Sequence, residues 1–208
     1  MMDLHRLLAA LLALFPQAPA DAAATTYVVD PARCSAVVHV GKSGLFKFAG
    51  HEHEVLATRC EGMVSAMPED LGRSSVTLRF ETAALQVSEK AEPEGDAAKV
   101  QAAMAGPKLL DIVRFPSVTF ASTSVKGRPA SADAYDLEVT GDLALHGVTR
   151  SISVPLRVEL QGDSLKASGR LNVKQTAFGL SPISVAGVVK VKDEIGIDFE
   201  IAATRRSR

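Results

Sequence analysis

The densest concentration of reactive side chains in this sequence is Gly50-His51-Glu52-His53-Glu54. Histidines at i and i+2 on an extended segment project to the same side. Two imidazoles so placed can chelate Zn²⁺, Cu²⁺ or haem iron. In a polar loop the same spacing gives two solvated imidazoles and no site. His39 lies upstream, and Cys34 and Cys60 bracket the region. If the two cysteines face each other across an antiparallel pair, His39 falls opposite Val55, with His53 as its diagonal neighbour. His39, His51 and His53 then converge, either on a metal or on a polar headgroup such as a quinone carbonyl or a phosphate. Glu52 and Glu54 point the other way. A slip of one residue in register undoes the arrangement.

Elsewhere the chain is poor in catalytic wording. It has no Gly-x-Ser-x-Gly elbow and no phosphate-loop or dinucleotide fingerprint. Asp111 and His146 can be paired on paper, but no nucleophile accompanies them. His146 reads better as a turn residue beside Gly147 than as a catalyst. The expectation is a binding protein rather than an enzyme. A metal-dependent hydrolase built on His39, His51 and His53 is the alternative, and a filled, purely structural barrel is a third class.

Bulk composition narrows the partners. The 208 residues fit one domain with a substantial core. With 23 basic and 24 acidic residues and a net charge of −1, no basic block is present to track phosphates. Aromatics are 5% and Trp is absent, which argues against a base-stacking surface. Nucleic acid is therefore not an expected partner. At the N-terminus, Arg6, the apolar run Leu7 to Phe15 and the Pro16-Gln17-Ala18-Pro19-Ala20 stretch have the layout of a secretory signal. The run is too short to span a bilayer. Residues 1–20 are read as the signal, with cleavage after Ala20 or as late as Ala24, leaving one domain over residues 25–204. The expected location is the periplasm, without stable membrane insertion. In that oxidising compartment Cys34 and Cys60 can form a disulfide, against the alternative of two separate buried thiols. The bridge would contribute roughly 3–4 kcal/mol by loop entropy.

The elements that must position these groups are strands. Val76, Leu78 and Phe80 alternate with polar residues, as do Leu137 and Val139, Ile152 to Leu160, and Ile195 to Ile201. Each pattern is a strand with one buried face. Turns are expected at Lys126-Gly127-Arg128-Pro129, Gln161-Gly162-Asp163-Ser164 and Lys192-Asp193-Glu194. The exception is a short helix over Asp96 to Ala105, ended by Gly106-Pro107 and preceded by a polar loop, Glu89 to Gly95. Many strands with few helices imply an all-β, antiparallel sheet that curls on itself.

Several blocks then point to a family. Gly141-Asp142-Leu143-Ala144-Leu145-His146-Gly147-Val148-Thr149-Arg150 and Leu110-Asp111-Ile112-Val113-Arg114-Phe115-Pro116-Ser117-Val118-Thr119-Phe120 are its most specific. Tyr27-Val28-Val29-Asp30-Pro31 opens the pattern, followed by Ser35, Val37 and His39. Gly41, Gly44, Phe46, Phe48 and Gly50 continue it, and Phe178-Gly179 lies near the end. Together they resemble the YceI family, periplasmic lipocalin-like proteins that bind polyisoprenoids and related lipids. Two positions depart from it: His39 stands where Phe is usual, and Lys174 or Gln175 replaces the usual Arg.

The resemblance implies an eight-stranded lipocalin-like barrel with one short helix, and it implies a function in transport or sequestration. A closed barrel of this size is either filled by its own side chains or left as a tube. Few aromatics and many Val, Ala, Leu and Ser residues favour an apolar tube, though Val and Leu can also pack densely. The expected occupant is a polyisoprenoid, an isoprenoid quinone or another long-chain lipid such as a fatty-acyl ligand, with no resident cofactor. Candidate binding residues are Val37, His39, Phe46, Phe48, Leu110, Phe115, Phe120, Leu145 and Phe178. The resemblance also implies homodimerisation, for which the sequence offers no separate support.

Overall fold

The computed structural model describes residues 23–43, 52–182, 184–185 and 189–207. The signal segment, Phe46, Phe48 and His51 lie outside the described residues. The strands are β1 (Thr25–Val40), β2 (Lys42–Ser43), β3 (His53–Ala57), β4 (Glu61–Ala66), β5 (Ser75–Glu81), β6 (Leu85–Val87) and β7 (Ser117–Ser131). They continue as β8 (Ala134–Leu145), β9 (Val148–Gln161), β10 (Ser164–Lys174), β11 (Ser184–Val185), β12 (Val189–Val191) and β13 (Glu194–Arg205). One helix, α1 (Ala97–Ala105), interrupts them between β6 and β7.

Eight strands close a barrel in the order β1-β4-β5-β7-β8-β9-β10-β13, with β13 returning to β1. Every pairing is antiparallel. This is the architecture expected from the alternation. Val76, Leu78, Phe80, Leu137, Val139, Ile152 and Ile195 all face the interior.

β1 serves two partners on one edge. Thr25–Val28 pairs with β4, and Ala36–Val40 pairs with β3. The register against β13 shifts between Val29 and Cys34, and Pro31 sits inside this bulge. A missing N–H is tolerated there because the ladder is already broken. The bulge resets the alternation, so that Tyr27, Val29, Cys34 and Ala36 are all buried. β6 pairs with β3 and would otherwise present a bare edge. Gln101 of α1 covers it: Val87 N donates to Gln101 Oε1 at 2.7 Å, and Gln101 Nε2 donates to Leu85 O at 2.9 Å.

The turn expected at Lys126–Pro129 is instead part of β7, and the chain reverses after Ser131. Only Ser117–Ala121 of β7 pairs with β5, so the later half has β8 on one side alone. Pro129 therefore forfeits no ladder bond on its free edge. The expected turn at Gly162-Asp163 is present between β9 and β10.

Candidate functional site

The barrel encloses a cavity of about 340 Å³, within the roughly 300–1,000 Å³ range of small-molecule sites. All eight barrel strands contribute to its wall. At one end it is bounded by Met67, Pro68 and Leu71, and at the other by Met104, Leu109 and Leu110 from α1 and the turn after it. No lining residue among those described is charged. Tyr135, Ser74, Ser75 and Gln175 are its polar-bearing members. Ser74 is already engaged, accepting from Met67 N at 2.9 Å.

Small and medium side chains leave this space. Ala36, Ala57 and Ala167 line the wall where larger residues would reach the centre. Tyr27, Val29, Cys34, Cys60, Leu165 and Ile201 belong to one buried cluster, in which Leu165 and Ile201 also line the cavity. Cys34 and Cys60 are joined in that cluster by a disulfide with Cα atoms 5.8 Å apart.

Of the candidate binding residues, Leu110, Phe120 and Leu145 line the cavity. Val37 and His39 do not. Ala36, Val38 and Val40 take the inward face of β1, which sends Val37 and His39 to the outside. Both parities of this segment carry apolar residues, and the polar Ser35 and His39 decide which face is wet. Phe115 is committed elsewhere, with its ring 4.4 Å from that of His146. Phe178 is only 1% exposed but packs outside the cavity lining.

The convergence of His39 and His53 is not what the structure shows. Ala36 pairs with Ala57, His39 with Glu54, and Val40 with His53. This is one residue away from the register that set His39 opposite Val55, and it places the two histidines on opposite faces of the sheet. The cysteines do not face each other across this pair: Cys34 pairs with Ile201, and Cys60 lies beyond the end of β3. His39 faces outward, with Nε2 3.0 Å from Asp198 Oδ2 and Nδ1 3.6 Å from Glu54. Asp198 also accepts both ends of the Arg170 guanidinium fork at 2.5 Å. Arg170 hydrogen bonding is the main reason its carboxyl is held below the ordinary carboxylate value. His53 Nδ1 lies 2.6 Å from Glu92 Oε1, and that carboxylate is fully buried. Among the described residues no group of three or more His, Cys, Asp or Glu is arranged to hold a metal.

The three sequence blocks that singled out this chain meet at the helix end of the barrel. His146 (φ 52°) and Gly147 (φ 74°) make the two-residue turn between β8 and β9. Positive φ at both centres suits the right-handed twist of the flanking strands. A Cβ on Gly147 would come within 2.6 Å of the Phe115 ring. Glycine is thus required there by conformation and by space. Phe115 is held in turn by its backbone N–H, which donates to Asp111 O at 2.8 Å. Arg150 Nε reaches Ala177 O at 3.1 Å, tying β9 to the 3₁₀ turn Gln175–Phe178. Asp193 caps that turn, accepting from Thr176 N at 2.8 Å and from its hydroxyl at 2.7 Å. These Thr176 bonds lower the Asp193 pKa from its ordinary value.

Two residues of this region are not among the candidate site residues of the sequence, although Gln175 is noted there as a departure from the family pattern. Glu92 sits in a segment whose composition says only that it is polar. Gln175 had a usable signal: with Leu171 and Val173 it continues the inward period of two, and all three line the cavity.

A model of the YceI-like domain matches residues 27–203. A UPF0312 protein of Enterobacter is 36% identical over 75 residues, which is 32% of this chain and 36% of that protein. Protein YceI of Escherichia coli is 36% identical over 73 residues, 31% of this chain and 36% of that protein. The chain thus aligns with little more than a third of the length of these relatives. The crystal structure of Burkholderia cenocepacia BcnA has a similar fold, with a TM-score of 0.65 at 23% identity, covering 85% of this chain and 99% of that one. A polyisoprenoid binding domain from Saccharophagus degradans has a TM-score of 0.61 at 13% identity, covering 88% and 99%.

Proposed function

The chain belongs to the YceI-like family, and from that premise we propose that it is a periplasmic carrier that sequesters a long-chain isoprenoid or similar amphiphile inside its barrel. The observation that carries this reading is the cavity, whose described walls hold no charge. Each methylene moved from water into such a space gains about 0.8 kcal/mol. A chain of isoprene units is a fitting occupant, because a narrow apolar tube selects by length and branching more than by polar contacts. The S. degradans domain of similar fold is named for binding polyisoprenoids, which lends the reading support by analogy of fold.

Export rests on separate grounds. The Arg6 and Leu7–Phe15 segment has the layout of a cleaved signal. A bridged Cys34–Cys60 pair suits an oxidising compartment.

The test is organic extraction of the protein purified from its own periplasm, followed by mass spectrometry. A stoichiometric polyprenyl or long-chain species is the expected result. A protein that comes out empty, and that takes up no apolar fluorescent reporter, would return the barrel to a purely structural role.

A further inference from the structure

Gln175 is 6% exposed and lines the cavity. Its backbone is fixed on both sides: its N–H donates to Asp193 O at 2.9 Å, and Leu180 N donates to its carbonyl at 3.1 Å. Its side-chain Nε2 donates to Lys192 O at 2.8 Å. A backbone carbonyl can only accept, so this bond settles which end of the amide is nitrogen. Oε1 is left without a hydrogen-bond partner among the described residues. No fully buried side-chain oxygen or nitrogen there lacks a partner, so the Gln175 Oε1 must open onto accessible space. The space this residue lines is the cavity.

A buried acceptor in an apolar chamber is costly to leave unpaired, and a ligand group that donates to it is correspondingly favoured. Resting on the carrier reading above, we propose that Gln175 is the headgroup receptor of this cavity. We further propose that the occupant enters with an uncharged hydroxyl donor at its head, as in a long-chain prenol or a quinol. A fatty-acid anion or a prenyl phosphate would bring negative charge against the Gln175 oxygen, with no cation among the described lining residues to offset it. An oxidised quinone would set a carbonyl acceptor against another acceptor. The tail supplies most of the affinity and Gln175 supplies the choice of head.

The experiment is displacement of an apolar fluorescent reporter from the full-length mature protein by four probes sharing one tail: geranylgeraniol, its O-methyl ether, geranylgeranoic acid and geranylgeranyl diphosphate. The wild type is expected to bind the alcohol about tenfold more tightly than the ether, the yield of one buried hydrogen bond. The ionised acid and the diphosphate should be weaker than the alcohol. In Gln175→Leu the alcohol and the ether should become equal while the ether keeps its wild-type affinity. Wild-type protein that binds alcohol and ether alike, or prefers either anion, would overturn the headgroup assignment while leaving the carrier reading intact, and this comparison needs no variant to fold. Failure of all four tails to displace the reporter would remove the carrier reading, and the headgroup assignment with it.

Discussion

Two regions of the barrel wall are held in different ways. Along β1, Tyr27, Val29 and Cys34 are buried in a cluster with Leu165 and Ile201, the latter two also lining the cavity. The Cys34–Cys60 bridge lies in that cluster and closes a chain separation of 26 residues. At the helix end the strands give way to α1, the Gly106–Phe115 connection and the Gln175–Phe178 turn, and the cavity reaches Gln175. The β1 cluster is held by apolar contact and a covalent link. The helix end is held from outside, by the His146–Phe115 ring contact, the Asp193–Thr176 cap and the part-buried His53–Glu92 pair. A tube keeps its bore when its rim is fixed by contacts that do not depend on its contents. Stability and binding are therefore expected to separate between these two regions.

The largest effect tests the β1 cluster. Replacing Cys34 and Cys60 with alanine is expected to cost about 3 kcal/mol, read by urea unfolding of oxidised wild type against the double variant. Affinity for an apolar reporter in the folded variant should change less than twofold. An affinity that falls in step with stability would mean that the two regions are not independent.

Next in size is Gly147→Ala at the helix end. The backbone there has φ 74°, which costs an L-residue about 1–2 kcal/mol, and the added carbon presses on Phe115. Displacing Phe115 disturbs the turn after α1 that carries Leu109 and Leu110 into the cavity wall. This variant should lose both stability and reporter affinity, the opposite of the disulfide variant. If binding survives unchanged, the rim does not hold the tube open.

Val154→Phe addresses the hollow itself. Val154 lines the cavity from the middle of β9. The larger ring can extend into empty space, so the stability change should stay within about 1.5 kcal/mol. Reporter binding should fall by about tenfold, with the lost tail contacts as the cause. A destabilised protein with normal binding would place the ligand elsewhere.

The same contrast governs what could be read from the sequence. The barrel was legible because alternation is periodic and needs no partner to interpret: Ile152 to Leu160 declares its inner face whatever lies beside it. Pairing is not written that way. The bulge between Val29 and Cys34 changes which parity of β1 faces inward, by an amount no local pattern encodes, and so turns Val37 outward. A separate one-residue step in the β1–β3 pairing parts His39 from His53. Phe115 and Phe178 are expected in the cavity wall, and neither lines it. Whether an apolar residue lines a tube or braces its rim depends on contacts with chain far away, here His146 and β9. Gln175 could have been found by carrying the inward period one step past Val173, where an uncharged amide breaks an otherwise hydrocarbon face.

The smallest effect concerns Asp193 and is a matter of pH. Its folded pKa lies below the ordinary 3.8, chiefly because Thr176 donates to its carboxylate from backbone and hydroxyl. A carboxyl whose pKa is depressed by folding adds stability above its unfolded value and loses it as pH falls through the folded one. The carboxyl is exposed to solvent, so the gain is small. Thermal melts of wild type and Asp193→Asn should therefore differ most near pH 7 and converge as pH falls through the depressed folded-state value, below which both side chains are neutral. The difference should be concentrated where Asp193 acts, on the turn that presents Gln175. Amide hydrogen exchange at Thr176 and Gly179 ought to quicken in Asp193→Asn at pH 7, while exchange in β1 near Cys34 stays as it was. Equal quickening at both places would show that the rim and the β1 cluster open together as one unit, and the division between them would fail.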